Sequence, residues 1–298
     1  MAIALSLNTD TMIFQPPTRQ PNSRRHFITT VAAVVGAAQV PRAFAQGSDL
    51  LFAVNEGVSY RFNPIEAQER YKPVADELGR VLKHPVRAVA IGSYKELQAG
   101  LAERKYALAM VHPAHHAIRA MVHSGYRLAA VAKGFTDYKA SFFVMQDSAV
   151  KALADLRGKS LVAPDEDSIT SVMMRATLRD ANLAQEIKQT YVRYQDAVPF
   201  SVENGLLAAG VSASKGVLKA WQAKGGRVVA SSQAVPIKQL IVSGASPAGT
   251  LERVAEFFLA LDGSNKTAAP LLEATRLTGF QAFDEAALTA QAGWLGVA

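Results

Sequence analysis

Leu50-Leu51-Phe52-Ala53-Val54-Asn55, then Asn63-Pro64-Ile65, then Val86-Arg87-Ala88-Val89-Ala90-Ile91 are the pieces whose reading decides the fold class. The first is short and apolar, and the third adds β-branched Val86, Val89 and Ile91, as buried strands do. Between them runs a helical pattern. Asn63 offers an N-cap oxygen, and Pro64 stands where its fixed φ suits the first helical position. The spacing predicts a helix to Val81 with Ile65, Tyr71, Val74, Leu78 and Leu82 near one face. Pro73 falls inside it and predicts a break or kink.

Working outward, the alternation repeats. Ser93 caps a predicted helix over 94–103, a strand follows at 106–111, Pro113 opens another helix, and 128–132 is a fourth strand. After an apolar segment at 140–145, a second series begins. It comprises a helix over 150–156 capped by Ser148, a strand at 160–163, a long helix from Ser168 to Ala181, and a strand at 190–193. Helices at 197–204 and 215–223 come next, then strands at 227–230 and 238–242, and helices over 247–261 and 268–277 close the chain. Strand and helix in turn mark an α/β protein with mainly parallel sheets. Two such series imply two lobes, with the chain crossing near 138–146 and returning near 233–241. A cleft between lobes is a natural place for a small ligand.

Upstream lies an export signal. Ser23-Arg24-Arg25-His26-Phe27-Ile28 precedes an apolar stretch that ends near Ala38, too short for the roughly 20 residues that span a bilayer. Ala43-Phe44-Ala45 is a small-residue exit site, so cleavage is expected after Ala45. The paired arginines resemble the twin-arginine type of signal. Residues 1–45 hold four arginines and one aspartate, so the formal charge of +7 falls to +4 on their removal. Little is left to argue for nucleic acid or an anionic membrane, and no later apolar run is long and charge-free enough to insert. The chain has no cysteine, which excludes disulfides, thiolate metal sites and a cysteine-linked lipid anchor. No G-x-S-x-G, H-E-x-x-H or phosphate-loop pattern is present, and no enzyme is expected.

Specific runs carry a resemblance. Tyr71-Lys72-Pro73-Val74-Ala75-Asp76-Glu77-Leu78, Ser93-Tyr94, Val111-His112-Pro113-Ala114, Tyr138-Lys139-Ala140-Ser141-Phe142, Leu153-Ala154-Asp155-Leu156-Arg157-Gly158-Lys159 and Pro164-Asp165-Glu166-Asp167-Ser168-Ile169-Thr170-Ser171 occur in one order. Together they resemble the phosphonate/phosphite-type periplasmic substrate-binding proteins of ABC transporters, over about residues 50–245. The resemblance implies a type II two-lobed fold with a two-strand hinge, lobe I being 46–139 with 238–298 and lobe II 140–237. It implies a periplasmic monomer without cofactor or metal that closes around a small anion and meets an inner-membrane permease. It implies ligand contacts from Ser168, Thr170 and Ser171 at a helix start, where free N–H groups and the helix dipole favour an anion, and from the hydroxyls of Tyr94 and Tyr138 in the other lobe.

The pattern also departs. Ile169 replaces a hydroxyl of the serine-rich turn, and Gln195 stands where the family has a histidine. Acidic positions that hold an ammonium group in some members fall at Lys215 and Lys238, where a second anionic group is acceptable instead. Four of the six histidines crowd into His112, His115, His116 and His123. They are open to three readings: cleft contacts by His112 and His116, a Zn²⁺ or Cu²⁺ site, or plain packing. A sensory or redox binding component, or a His-based metal protein, stays as an alternative to transport.

Overall fold

The computed structural model describes residues 48–57, 63–195, 197–266 and 268–298. The expected signal, with Arg24, Arg25 and Ala45, lies outside the described residues. The opening strand and helix fall where the spacing puts them, as β1 (Leu50–Asn55) and α1 (Pro64–Leu82). Asn63 Oδ1 accepts from the backbone N–H of Ile65 at 3.0 Å and so caps α1. Tyr71, Val74, Leu78 and Leu82 are buried, but Ile65 is 71% exposed and does not belong to that face. Pro73 does not break α1. Proline and the Glu69 carbonyl that lacks its hydrogen bond are both exposed, so water can satisfy that oxygen.

Two sheets follow. The first has the order β11-β4-β10-β3-β1-β2, where β2 is Val86–Ala90, β3 Leu108–Val111, β4 Tyr126–Ala132, β10 Gln239–Ser243 and β11 Phe280–Gln281. The second has the order β7-β6-β8-β5-β9, with β5 Ser141–Val144, β6 Ser160–Ala163, β7 Lys188–Tyr191, β8 Ala209–Ser212 and β9 Arg227–Ser231. β1 pairs in parallel with β2 and β3, and β6 in parallel with β7 and β8. In each sheet the strand entered from a crossing runs against its neighbours. β5 lies antiparallel between β8 and β9, and β10 antiparallel between β3 and β4. The two crossing segments, 133–140 and 232–238, pair with each other. Ile237 N–H donates to Phe135 O at 2.9 Å, Val235 N–H to Tyr138 O at 2.9 Å, and Ser232 N–H to Ala140 O at 2.8 Å. That pairing is the two-strand hinge of a type II binding-protein fold.

Helices cover the sheets: α2 (Tyr94–Ala102), α3 (Ala114–Ser124), α4 (Ile169–Asp180), α5 (Ala197–Glu203), α6 (Lys215–Ala223), α7 (Thr250–Leu259), α8 (Ala269–Thr275), α9 (Glu285–Thr289) and α10 (Ala292–Leu295). The helix expected over 150–156 shrinks to one 3₁₀ turn at Leu153–Leu156. Asp155 Oδ2 takes the N–H groups of Lys151 and Ala152, at 2.8 and 3.0 Å, and Ser148 Oγ takes that of Val150. The side chains thus satisfy the amides locally and replace the first helical turn.

Strand β8 is absent from the sequence reading although it sits in the middle of its sheet. Its Ala-Gly-Val-Ser sequence is poor in strand-forming side chains. Gly210 is required there, since a Cβ would lie 2.5 Å from Phe143 Cζ and 2.9 Å from Val198 Cγ1. The C-terminal α9 and α10 were likewise unmarked. They pack on α3, and α10 also packs on α4. One buried cluster therefore runs from Ile118 in α3 through Met173, Met174 and Leu178 in α4 to Leu288 and Leu295. The described residues from Ser48 to Ala298 belong to one compact unit. No helix among the described residues is long and apolar enough to cross a membrane.

Candidate functional site

A cavity of about 400 Å³ opens between the two sheets, beside the hinge. Its walls come from chain segments that end strands and begin helices. Tyr94 is the first residue of α2, Ser168 is the N-cap of α4, and Ser214 is the N-cap of α6 with Lys215 following. Three helix N-termini thereby border one space, each bringing the positive end of its dipole. At α4, the N–H of Ser171 is taken by Ser168 Oγ and that of Val172 by Ser168 O, which leaves Ile169 and Thr170 without backbone acceptors among the described residues.

Side chains add to these amides. Thr170 is wholly buried and lines the cavity; its Oγ1 makes no hydrogen bond of full geometry, but it lies close enough to the Tyr138 hydroxyl to lower that group's pKa. A buried hydroxyl left so costs about 1–3 kcal/mol, which a ligand oxygen would recover. Tyr138 lies on the hinge segment, not in the body of the first lobe. Its hydroxyl receives Gln195 Nε2 at 3.4 Å, and burial pushes its pKa up, so it stays protonated. Gln195 is oriented by Ser212 and Ala213, whose Oγ and N–H donate to Gln195 Oε1 at 3.0 and 3.2 Å. Its amide donors are left facing Tyr138 and the cavity.

His112 stacks edge-on to Tyr138 at 6.1 Å between centroids. Burial, helped by the Lys238 ammonium, lowers its pKa to about 3. The ring is neutral at ordinary pH, and Nδ1 has no partner. Gly57 makes this placement possible. It holds φ +88, fixed by its N–H donating to Asn55 Oδ1 at 3.0 Å, and a Cβ there would lie 2.8 Å from His112 Cδ2.

Of the residues singled out from sequence, Tyr94, His112, Tyr138, Ser168, Thr170 and Gln195 come together on the cavity wall. Ser171 and His116 do not. Ser171 Oγ donates to Pro164 O at 2.8 Å and braces the turn from within. His116 lies one turn into α3, its ring 4.0 Å from that of His115 and 5.5 Å from Tyr94. Ser168 is more cap than free donor, because its Oγ also contacts Ser171 Oγ at 3.3 Å. No group of three His, Asp or Glu able to hold a metal exists among the described residues. The sequence reading missed Glu56, Phe135, Asp137, Asp165 and Arg193, which also line the cavity. A signal was available for the acids and Arg193, since each sits just after a strand or hinge segment, where α/β proteins place their ligands.

Sequence comparison sharpens this geometry. Residues 57–288 match the sequence profile of the ABC transporter, phosphonate, periplasmic substrate-binding protein family. The chain belongs to that family. Its members are transport substrate-binding proteins, not enzymes. No curated protein matches by sequence. Among solved structures, XAC2383 of Xanthomonas citri, bound to ATP, is 18% identical, with 84% of this chain and 98% of that one covered at a TM-score of 0.69. PhnD1 of Prochlorococcus marinus, in complex with methylphosphonate, is 14% identical over 83% and 97% at 0.64. The aliphatic sulphonate binding protein SsuA of Escherichia coli is 15% identical over 84% and 78% at 0.50. At these identities the likeness shows a shared fold. As a phosphonate-family binding protein, the chain has a periplasmic place and a membrane permease as its implied partner.

Proposed function

We propose that this protein captures a small oxyanion, of the phosphonate, phosphite, phosphate or sulfonate kind, by closing its two lobes, and delivers it to an inner-membrane ABC permease. The lobes are 46–139 with 238–298, and 140–237, and they pivot on the paired segments around Tyr138 and Val235. The protein leaves the cytoplasm on a twin-arginine signal, is cut after Ala45, and works as a monomer.

The observation that carries this reading is Thr170. Its hydroxyl is buried with no hydrogen bond of full geometry, beside the Tyr138 hydroxyl, on the wall where the amides of Ile169 and Thr170 have no backbone acceptor among the described residues. An oxyanion supplies several acceptor oxygens to one place and so satisfies all three donors at once. Tyr138, Gln195 and neutral His112 add donors from the hinge and from both lobes. Each hydrogen bond to a charged group contributes about 1.5–3 kcal/mol, so four or five suffice for micromolar binding after ordering costs.

Calorimetric titration with ethylphosphonate, phosphite, phosphate and ethanesulfonate tests the proposal. At least one is expected to bind at micromolar level or better, with Thr170→Val and Tyr138→Phe each weakening it about tenfold. Absence of heat and of thermal stabilisation with all four would overturn it.

A further inference from the structure

The charges around the cavity do not balance. Three carboxylates reach its wall, and each already has company. Glu56 is paired with Arg70, and Tyr71 Oη donates to Glu56 Oε1 at 3.4 Å. Asp137 pairs with Lys139 at 2.9 Å. Asp165 Oδ1 accepts the N–H of Asp167 at 2.9 Å, which closes its own turn. Two cations on the wall have no carboxylate partner among the described residues, and a third, Lys238, lies near enough to Glu56 to feel its charge. Arg193 and Lys215 line the cavity from the second lobe, at the ends of β7 and the start of α6, and neither forms an ion pair among the described residues. Arg193 instead holds its guanidinium 5.3 Å from the Tyr194 ring. Lys238 comes from the hinge side, with Nζ 4.2 Å from the centroid of Phe135, itself a wall residue. It holds a left-handed backbone, φ +58, which non-glycine residues adopt only when the surroundings impose it.

Lys215 stands apart from the neutral donors, whereas Arg193 lies two residues before Gln195 and Lys238 shares the hinge with Tyr138. Thr170, Ile169 and Gln195 belong to the start of α4 and the loop after β7, and Tyr138 to the hinge. Lys215 belongs to the start of α6 and Lys238 to the returning hinge segment. Phe135, Ala213 and Gly134 add apolar or small surface to the same wall. A bare tetrahedral oxyanion would occupy only a fraction of about 400 Å³. Resting on the oxyanion reading above, we infer that the ligand carries two acidic groups on a short carbon chain. The oxyanion sits on the α4 amides and Thr170, and a carboxylate or second oxyanion is held by Lys215 with Arg193, with Lys238 adding positive potential. A ligand with an ammonium group at that second position is disfavoured by the same cations.

The test compares three probes of similar size by calorimetric titration at low salt: 3-phosphonopropionate, ethylphosphonate and 2-aminoethylphosphonate. The wild type is expected to bind 3-phosphonopropionate at least tenfold more tightly than ethylphosphonate, and 2-aminoethylphosphonate most weakly. In Lys215→Ala/Arg193→Ala the tenfold ratio falls below threefold. In Lys215→Glu/Arg193→Glu the order of the carboxylate and ammonium probes inverts. Both side chains are exposed, so these variants should fold, and unliganded thermal midpoints within a few degrees of wild type confirm it. Equal affinity for 3-phosphonopropionate and ethylphosphonate, or tightest binding of 2-aminoethylphosphonate, overturns this inference and leaves the oxyanion reading standing. Failure of all three probes, and of the matching sulfonates, overturns both.

Discussion

At its N-terminal end α4 meets the cavity with donors left over: two backbone amides and the buried hydroxyl of Thr170. About 18 Å away, at its C-terminal end, nothing is left over. Arg179 donates to the carbonyl of Trp294, Trp294 Nε1 donates to Asp180 Oδ2 at 2.8 Å, and the interval between is filled by Met173, Met174 and Leu178. The same C-terminal segment reaches back to the first lobe, where His123 Nε2 meets Val297 O at 3.1 Å. One end of the helix has donors without protein partners among the described residues and the other is stitched to both lobes. A binding protein needs both. Free donors give a ligand something to gain, and the stability they forfeit is made up where packing is complete.

Acid breaks this contrast most strongly. His112, His115 and His116 are held well below their ordinary pKa, chiefly by burial. Lys238 adds to the effect on His112, Arg119 on His116, and Arg119 and Arg175 on His115. These rings are neutral when folded, while in the unfolded chain they take protons below about pH 6.5. The unfolded state binds more protons, so stability is whole above that pH and falls as the pH drops toward the folded values, about 3 for His112 and 4 for His116. Each ring should cost about 1.4 kcal/mol per pH unit in that window. Urea midpoints measured at pH 7.5, 6, 5 and 4.5 should be flat at the top and then decline. A level profile to pH 4.5 would show that the rings are not buried as drawn.

Next in size is the packed end. Leu178→Ala removes a wholly buried side chain from between α4 and the C-terminal helices. Such truncations cost about 2–5 kcal/mol. The loss should show in urea denaturation while ethylphosphonate affinity changes less than threefold. A tenfold loss of affinity would mean that the two ends of α4 are coupled.

How much of this was legible beforehand follows the same division. Short apolar strands, such as β1 and β2, and helices with a side-chain cap, such as α1 at Asn63 and α4 at Ser168, were readable, because local chemistry fixes them. β8 was not, because its reason for being a strand is the Phe143 ring that Gly210 admits, a contact far away in sequence. Residues that begin helices after strands, Tyr94, Ser168 and Thr170, could be named from sequence. Glu56 and Arg193 were marked only by their place just after a strand, since an exposed-looking charge in a loop carries no further sign of the wall it will join. His116 and Ser171 were plausible by type, but one turn of helix separates a wall residue from a buried neighbour, and sequence spacing does not say where the wall ends. The C-terminal latch was invisible because α9 and α10 are short, and its side-chain bonds join Trp294 to Asp180 and Arg179, more than a hundred residues away.

The unsatisfied end should respond in the opposite sense to the packed one. Thr170→Val replaces an orphaned hydroxyl with a methyl group of nearly the same shape. Unliganded protein should gain about 1 kcal/mol or hold level, since a buried polar atom without a partner is lost. Ligand affinity should fall about tenfold in the same variant. Stability and binding thus move apart, as they cannot if Thr170 is merely a core residue. A variant destabilised by 2 kcal/mol would show that the hydroxyl is already bonded in the empty protein.

The smallest effect expected is at the latch. Trp294→Phe keeps most of the apolar ring but deletes the Nε1 bond to Asp180, which lies on an exposed helix end. A single bond of this kind contributes about 0.5–1.5 kcal/mol, and exposure of Asp180 argues for the lower part of that range. The informative quantity is hydrogen exchange at Arg179 and Asp180. If α10 stitches the lobes, their amides should exchange faster in Trp294→Phe while those of Ile169 and Thr170, already free of backbone acceptors, should not change. Faster exchange at both ends would mean that α4 opens as one unit, and the contrast between its ends would then be one of side chains alone.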